Sequence, residues 1–241
     1  MLGLVDGQEY VEVLDAIVQE VLEAGRVHEP PVDPFRIARA LGLRVVWDGR
    51  LPERGRYVRF RHQAGNSSTA VMILQRHPRP ERRYWAAAHE LGEHLVPQAA
   101  QRLGLLADED LSGWRERMAN HLAARILLPT AWFCQDGRRL DWDLRALKIR
   151  YSTASHETIA RRMLDMEEPV VISIFDQGTV TWRRANRFGR VPPLAEAETL
   201  SWQIAHRESR DHQHYSDRLR VRAWAVHEPG WRREILRTEP W

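Results

Sequence analysis

Cysteine is nearly absent from this chain of 241 residues: Cys134 stands alone. That excludes an intramolecular disulfide, fits a reducing compartment, and leaves any metal site to histidines and carboxylates. Long apolar runs are missing too. No stretch approaches the ~18 consecutive apolar residues of a membrane-spanning helix, and the opening MLGLVDGQEY has neither the basic start nor the apolar core of an export signal. The expectation is a cytoplasmic protein that does not engage a membrane. Lysine is scarce: Lys148 is the single one among 36 basic residues, which face 33 acidic ones for a net charge of +3. The arginines alternate with apolar residues instead of gathering into one stripe, so direct nucleic-acid binding is not expected. What is present, 43% hydrophobic and 29% charged residues, is the make-up of a folded globular protein. Its length suits one catalytic domain and a smaller second one.

Apolar residues at Val11, Leu14, Ile17, Val18, Val21 and Leu22 recur at helical spacing and predict a first helix over 8–24, stopped at Gly25. Asp33 before Pro34 is a helix N-cap signature, and Gly42 ends that short helix. Segments 43–47, 57–61 and 70–74 are rich in β-branched and aromatic residues and read as three strands of a small sheet. Two longer helices follow, over 81–96 up to Pro97 and over 112–128 up to Pro129, then two shorter ones around 141–149 and 155–165. A domain boundary is placed near Glu168. Beyond it, strands at 170–175 and 180–184 flank Asp176-Gln177-Gly178, a hairpin signal. A helix over 195–206 and strands at 219–226 and 234–237 complete a small α+β unit. The polar stretch carrying His206, His212 and His214 reads as a solvated loop rather than a metal cluster.

The chemistry-bearing segment is His89-Glu90-Leu91-Gly92-Glu93-His94. In the HExxH arrangement two histidines four residues apart share a helical face and hold zinc, while the intervening glutamate activates water. Here the residue four places after His89 is Glu93, and the histidine comes one place later. At about 100° per residue, position i+4 lies about 40° from His89 around a helix and i+5 about 140° away. A regular helix therefore presents Glu93, whereas a one-residue π-bulge, which Gly92 would tolerate, returns His94 to the face of His89. Glu116 lies on the next helix one turn before Asn120, and short residues on both helices (Ala86, Ala87, Ala88; Ala119, Ala123, Ala124) would let them approach closely. Tyr84, Arg117 and His121 are the candidate donors for a developing oxyanion.

The chain resembles the ImmA/IrrE family of metallopeptidases, cytoplasmic proteins that act on DNA-binding repressors. The residues that carry the resemblance are Pro30-Pro31-Val32-Asp33, Ile37-Ala38, Leu41-Gly42-Leu43 and Ala88-His89-Glu90-Leu91-Gly92. Further along come Glu116 with Ala119-Asn120, Ala123-Ala124, Leu127-Leu128-Pro129, and Ser155 with Ala160-Arg161-Arg162. The resemblance spans residues 8–166. It implies an α+β fold: a zincin-like catalytic domain over 1–167, with a small sheet, active-site helices and a helical extension, then a small C-terminal α+β domain over 168–241. It also implies His89 as a metal ligand, Glu90 as general base and Glu116 as third ligand. The implied cofactor is zinc, or another divalent metal if Glu93 is a ligand, and the implied partner is a protein substrate such as a helix-turn-helix repressor. At the second ligand the chain departs from the family. Aligned from the left the position is Glu93, and aligned from the right it is His94, followed by Leu95-Val96. The second alignment is modestly favoured. The altered spacing also motivates a non-catalytic reading, a regulatory protein-binding module that retains the metallopeptidase fold.

Overall fold

The computed structural model describes residues 7–61, 68–105, 112–187, 189, 191–216 and 218–240. Its contacts divide the chain into two compact units, Met1–Ser155 and His156–Trp241.

The first unit runs α1 (Gly7–Ala24), α2 (Pro34–Ala40), β1 (Arg44–Asp48), β2 (Gly55–Arg61), β3 (Ser68–Gln75), α3 (Pro80–Arg102), α4 (Ser112–Leu127), α5 (Thr130–Arg139) and α6 (Leu144–Arg150). The helical spacing of Leu14, Ile17, Val18, Val21 and Leu22 buries that face of α1. Asp33 caps α2 by accepting from the Phe35 backbone N–H at 2.9 Å. The three strands form a sheet of order β1-β3-β2, with β1 parallel and β2 antiparallel to β3, which leaves β2 at an edge. Ala86 and Ala87 of α3 pack on Leu74 of β3, joined by Phe35 and Val45.

One helical boundary and one whole helix differ from expectation. Pro97 does not end α3, which continues to Arg102. A proline removes one intrahelical bond, here to the Glu93 carbonyl, and the buried Leu95, Val96 and Ala99 hold the helix to the core on both sides of that gap. Helix α5, unforeseen between Pro129 and Leu140, buries Phe133 against Trp142 and Tyr151 at ring separations of 5.7 and 5.6 Å.

The second unit runs α7 (His156–Arg162) with a turn of 3-10 helix (Met163–Asp165), then β4 (Val171–Asp176), β5 (Thr179–Ala185), α8 (Glu196–Glu208), β6 (His212–Tyr215), β7 (Leu219–Ala225) and β8 (Arg233–Pro240). Because α7 packs on β4 and β8, the compact units divide ahead of the boundary placed near Glu168. The five strands form an antiparallel sheet of order β5-β4-β8-β7-β6. Gln177 and Gly178, both at positive φ (51° and 82°), make the expected tight turn between β4 and β5. Helix α8 covers one face, closing a core of Phe175, Ala205, Val221, Ala223 and Leu236. The polar stretch read as a loop contains β6, whose residues 212–215 pair with β7. An edge strand bonded on one side needs no apolar alternation, which is why its sequence hid it.

Candidate metal centre

Helix α3 is α-helical throughout the HELGEH segment. Without a π-bulge, the face of His89 carries Glu93 and not His94. Donor atoms of His89, Glu93 and Glu116 all lie within 4.8 Å of one another. His89 Nε2 is 3.6 Å from Glu116 Oε2. Asn120 ties the two together: its Oδ1 lies 3.2 Å from His89 Nδ1, and its Nδ2 donates to Glu116 Oε1 at 2.9 Å. A metal-binding histidine ordinarily has its other ring nitrogen fixed by such a partner. Arg115 donates to Glu93 Oε2 at 3.1 Å.

The close approach of α3 and α4 depends on Gly92. A Cβ there would fall 2.6 Å from the Ala119 carbonyl oxygen, so the glycine serves the helix crossing rather than a bulge. Ala119 and Ala123 are buried on the facing side.

Glu90 lies beneath β2, against Gly55, and is 5% exposed. Burial, and then the neighbouring charge of Glu93, push its carboxyl up to about 7, against a lowering hydrogen bond from the Tyr57 backbone N–H; Glu116 and Glu53 add smaller upward contributions. Gly55 of β2 permits this contact, since a Cβ there would lie 2.4 Å from Glu90 Oε1.

His94 is directed elsewhere. Its Nδ1 lies 2.9 Å from the Tyr57 hydroxyl, with the rings edge to face at 5.4 Å. Burial and the Arg59 charge lower its pKa, which favours a neutral ring accepting the Tyr57 hydroxyl proton. The Tyr57 oxygen in turn accepts from Arg59 Nε at 3.1 Å.

The candidate oxyanion donors have contacts of their own. Tyr84 packs beside Phe35, His121 pairs through Nδ1 with the Tyr10 hydroxyl at 3.0 Å, and the Arg117 guanidinium folds back toward Gly113. Sequence reasoning passed over Gly55, Tyr57 and the double role of Asn120. For Asn120 a signal existed, its place one turn after Glu116 on the same helix face.

A helix carrying His89 and Glu90 under an edge strand, crossed by a second helix bearing Glu116, defines a zincin-like metallopeptidase fold, here followed by a small α+β unit. Residues 38–164 match the model of the peptidase M78 family, described as an IrrE N-terminal-like domain, and the chain belongs to that family. Among solved structures it is similar to a Mycobacterium tuberculosis transcriptional regulator, with a TM-score of 0.67 and 18% identity over 94% of this chain and 75% of that one. At that identity the likeness is one of fold. No curated protein matches the chain. Among the described residues no helix is long and apolar enough to cross a membrane.

Proposed function

We propose that this chain is a zinc-dependent endopeptidase that hydrolyses a peptide bond in a protein substrate, with a DNA-binding transcriptional repressor as the favoured class of substrate. The observation that carries the reading is the convergence of His89, Glu93 and Glu116 beside a buried Glu90 whose carboxyl is raised to about 7. The donor set fits a divalent ion: one imidazole nitrogen and two carboxylates, with His89 and Glu116 both oriented by Asn120. Two carboxylates make it harder and more negative than a two-histidine set, so manganese or another divalent ion is a competitor for zinc. An ion held there supplies Lewis-acid polarisation of the substrate carbonyl.

The chain's own groups supply the rest. The Glu90 carboxylate can take a proton from the attacking water and pass it to the departing amine. Edge strand β2 offers backbone groups to an extended substrate segment beside Glu90. The regulator-like fold of the structural neighbour and the family's character favour a transcription-linked substrate.

The test is mass spectrometry of a randomised peptide library, and of a purified helix-turn-helix repressor, after incubation with the metal-loaded protein. New termini that vanish with Glu90→Gln and on chelation are expected. Equal cleavage by Glu90→Gln removes Glu90 from the chemistry. A complete lack of new termini, with the repressor still bound, favours the second reading, a non-catalytic binding module, which the replacement of the second histidine by Glu93 motivates.

A further inference from the structure

The C-terminal unit contains a second convergence of metal-ligating side chains. His206 lies in the last turn of α8, His227 in the connection from β7 to β8, and Glu234 at the start of β8. Their donor atoms lie within 4.8 Å of one another. Both imidazoles address the same carboxylate oxygen: His206 Nδ1 is 3.0 Å and His227 Nε2 2.5 Å from Glu234 Oε1.

We propose that His206, His227 and Glu234 form a zinc site, separate from the centre on α3, that pins the end of α8 to the β7–β8 hairpin. Three features support it. First, Glu234 is 0% exposed, and among the described residues its side-chain partners are Trp202, His206 and His227, with no arginine or lysine on the carboxylate. A buried carboxylate needs a compensating charge, and a divalent ion shared with the two imidazoles supplies one.

Second, the surroundings are those of ligands held in place. The Trp202 indole N–H donates to the other carboxylate oxygen, Oε2, at 3.1 Å, and the second ring nitrogen of His227, Nδ1, lies 3.2 Å from Ser209 Oγ. Trp202 is itself fixed by stacking on Phe175 at 4.9 Å. Ser209 closes α8 in the left-handed conformation, φ 53°, which carries its hydroxyl to the histidine. Such outer contacts set ring tautomer and orientation around a metal.

Third, the donors are right for zinc in kind and nearly so in spacing. Two imidazoles and a carboxylate are a common zinc set, with bonds of about 2.0–2.2 Å that place donors of a tetrahedron about 3.3 Å apart. The separations from Oε1, 3.0 and 2.5 Å, fall short of that value, so an ion bound there spreads the donors. His206 and His227 remain 26% and 17% exposed in their side chains, so an ion and a fourth ligand, water, have a route in.

The experiment uses the full chain carrying His89→Ala and Glu116→Ala, so that metal at the first centre does not contribute. Zinc content after dialysis, and the visible absorption of a cobalt-substituted sample, report the second site. One zinc per chain is expected, with an intense tetrahedral cobalt spectrum. Adding His227→Ala should abolish both while far-ultraviolet dichroism stays unchanged, and Ser209→Ala alone should weaken zinc about tenfold. A dialysed sample without zinc, or zinc unchanged by His227→Ala, overturns the proposal and leaves a carboxylate held by a proton between two histidines. Should the His227 variant not fold, anomalous diffraction from zinc-soaked crystals of the unaltered chain decides. A peak bounded by these three residues supports the site, and its absence overturns it. The α3 centre yields its own peak, so failure of one reading is seen separately from failure of the other.

Discussion

Gly92 and Ala119 meet backbone to backbone where α3 crosses α4. A methyl group at Gly92 would stand 2.6 Å from the Ala119 carbonyl oxygen and 3.1 Å from its Cα. Backbone cannot rotate away as a side chain can, so Gly92→Ala must push the helices apart. The expected cost is about 1–3 kcal/mol, the usual range for overpacking a tight interior contact. His89 and Glu116 lie on the two helices being separated, so metal affinity should fall together with stability. Urea denaturation and zinc titration measure the two effects, and a variant unchanged in both would show that the crossing is looser than its geometry.

Much of this was legible in the sequence because the signals were local. The apolar stripe of α1, the Asp33-Pro34 start of α2 and the Gln177-Gly178 turn each depend on residues a few places apart. The pairing of the HELGEH helix with Glu116 was also readable, since both lie on helices with small-residue faces. The role of Gly92 was not. A glycine that permits a bulge and a glycine that permits a helix contact look the same until the neighbouring helix is present. Pro97 misled for a related reason, because burial of Leu95, Val96 and Ala99 outweighs one missing backbone bond. The second cluster was invisible as a cluster: among the histidines of the polar stretch His206 alone takes part, and its partners His227 and Glu234 arrive from the β7–β8 hairpin.

The regular course of α3 puts Glu93, and not His94, on the face of His89. Glu93→Gln should weaken metal binding at the first centre, because the substitution removes a charged donor from the face shared with His89 and Glu116. His94→Gln should leave metal binding intact and instead break the contact to the Tyr57 hydroxyl, loosening β2. Metal content of the two variants is the direct measurement. The reverse result, metal lost with His94→Gln and kept with Glu93→Gln, would mean that α3 bulges when the ion binds.

Asp136 sets a pH limit on the first unit. Although burial opposes its ionisation, hydrogen bonds from Arg150, Tyr151 and Arg139, each at 2.9 Å, hold its carboxyl below the ordinary aspartate value. A group whose folded pKa is depressed contributes stability that is complete above its unfolded pKa of about 3.9 and is lost as pH falls through the folded value. Acid unfolding should therefore steepen below about pH 4. Asp136→Ala should flatten that steepening and cost about 3 kcal/mol near neutral pH, since the fully buried Tyr151 hydroxyl loses its acceptor. Thermal melts at a series of pH values test both parts.

Gly55 offers a way to disturb the chemistry while sparing the fold. The nearest atoms a Cβ at this position meets all belong to the Glu90 side chain, at 2.4 Å from Oε1, 2.9 Å from Cγ and 3.0 Å from Cδ. Unlike the Ala119 backbone opposite Gly92, that side chain can move, so Gly55→Ala should be absorbed by displacing the Glu90 carboxylate. Its hydrogen bond from the Tyr57 backbone N–H would break, and its position beside His89 would be lost. In the proposed reaction Glu90 is the general base, and a displacement of about 1 Å would lower turnover about 100-fold. The expected signature is a loss in kcat with a melting temperature near that of the unaltered chain and with zinc still bound. Gly55→Ala that keeps full turnover would show that Glu90 works from a position other than the one it holds beneath β2.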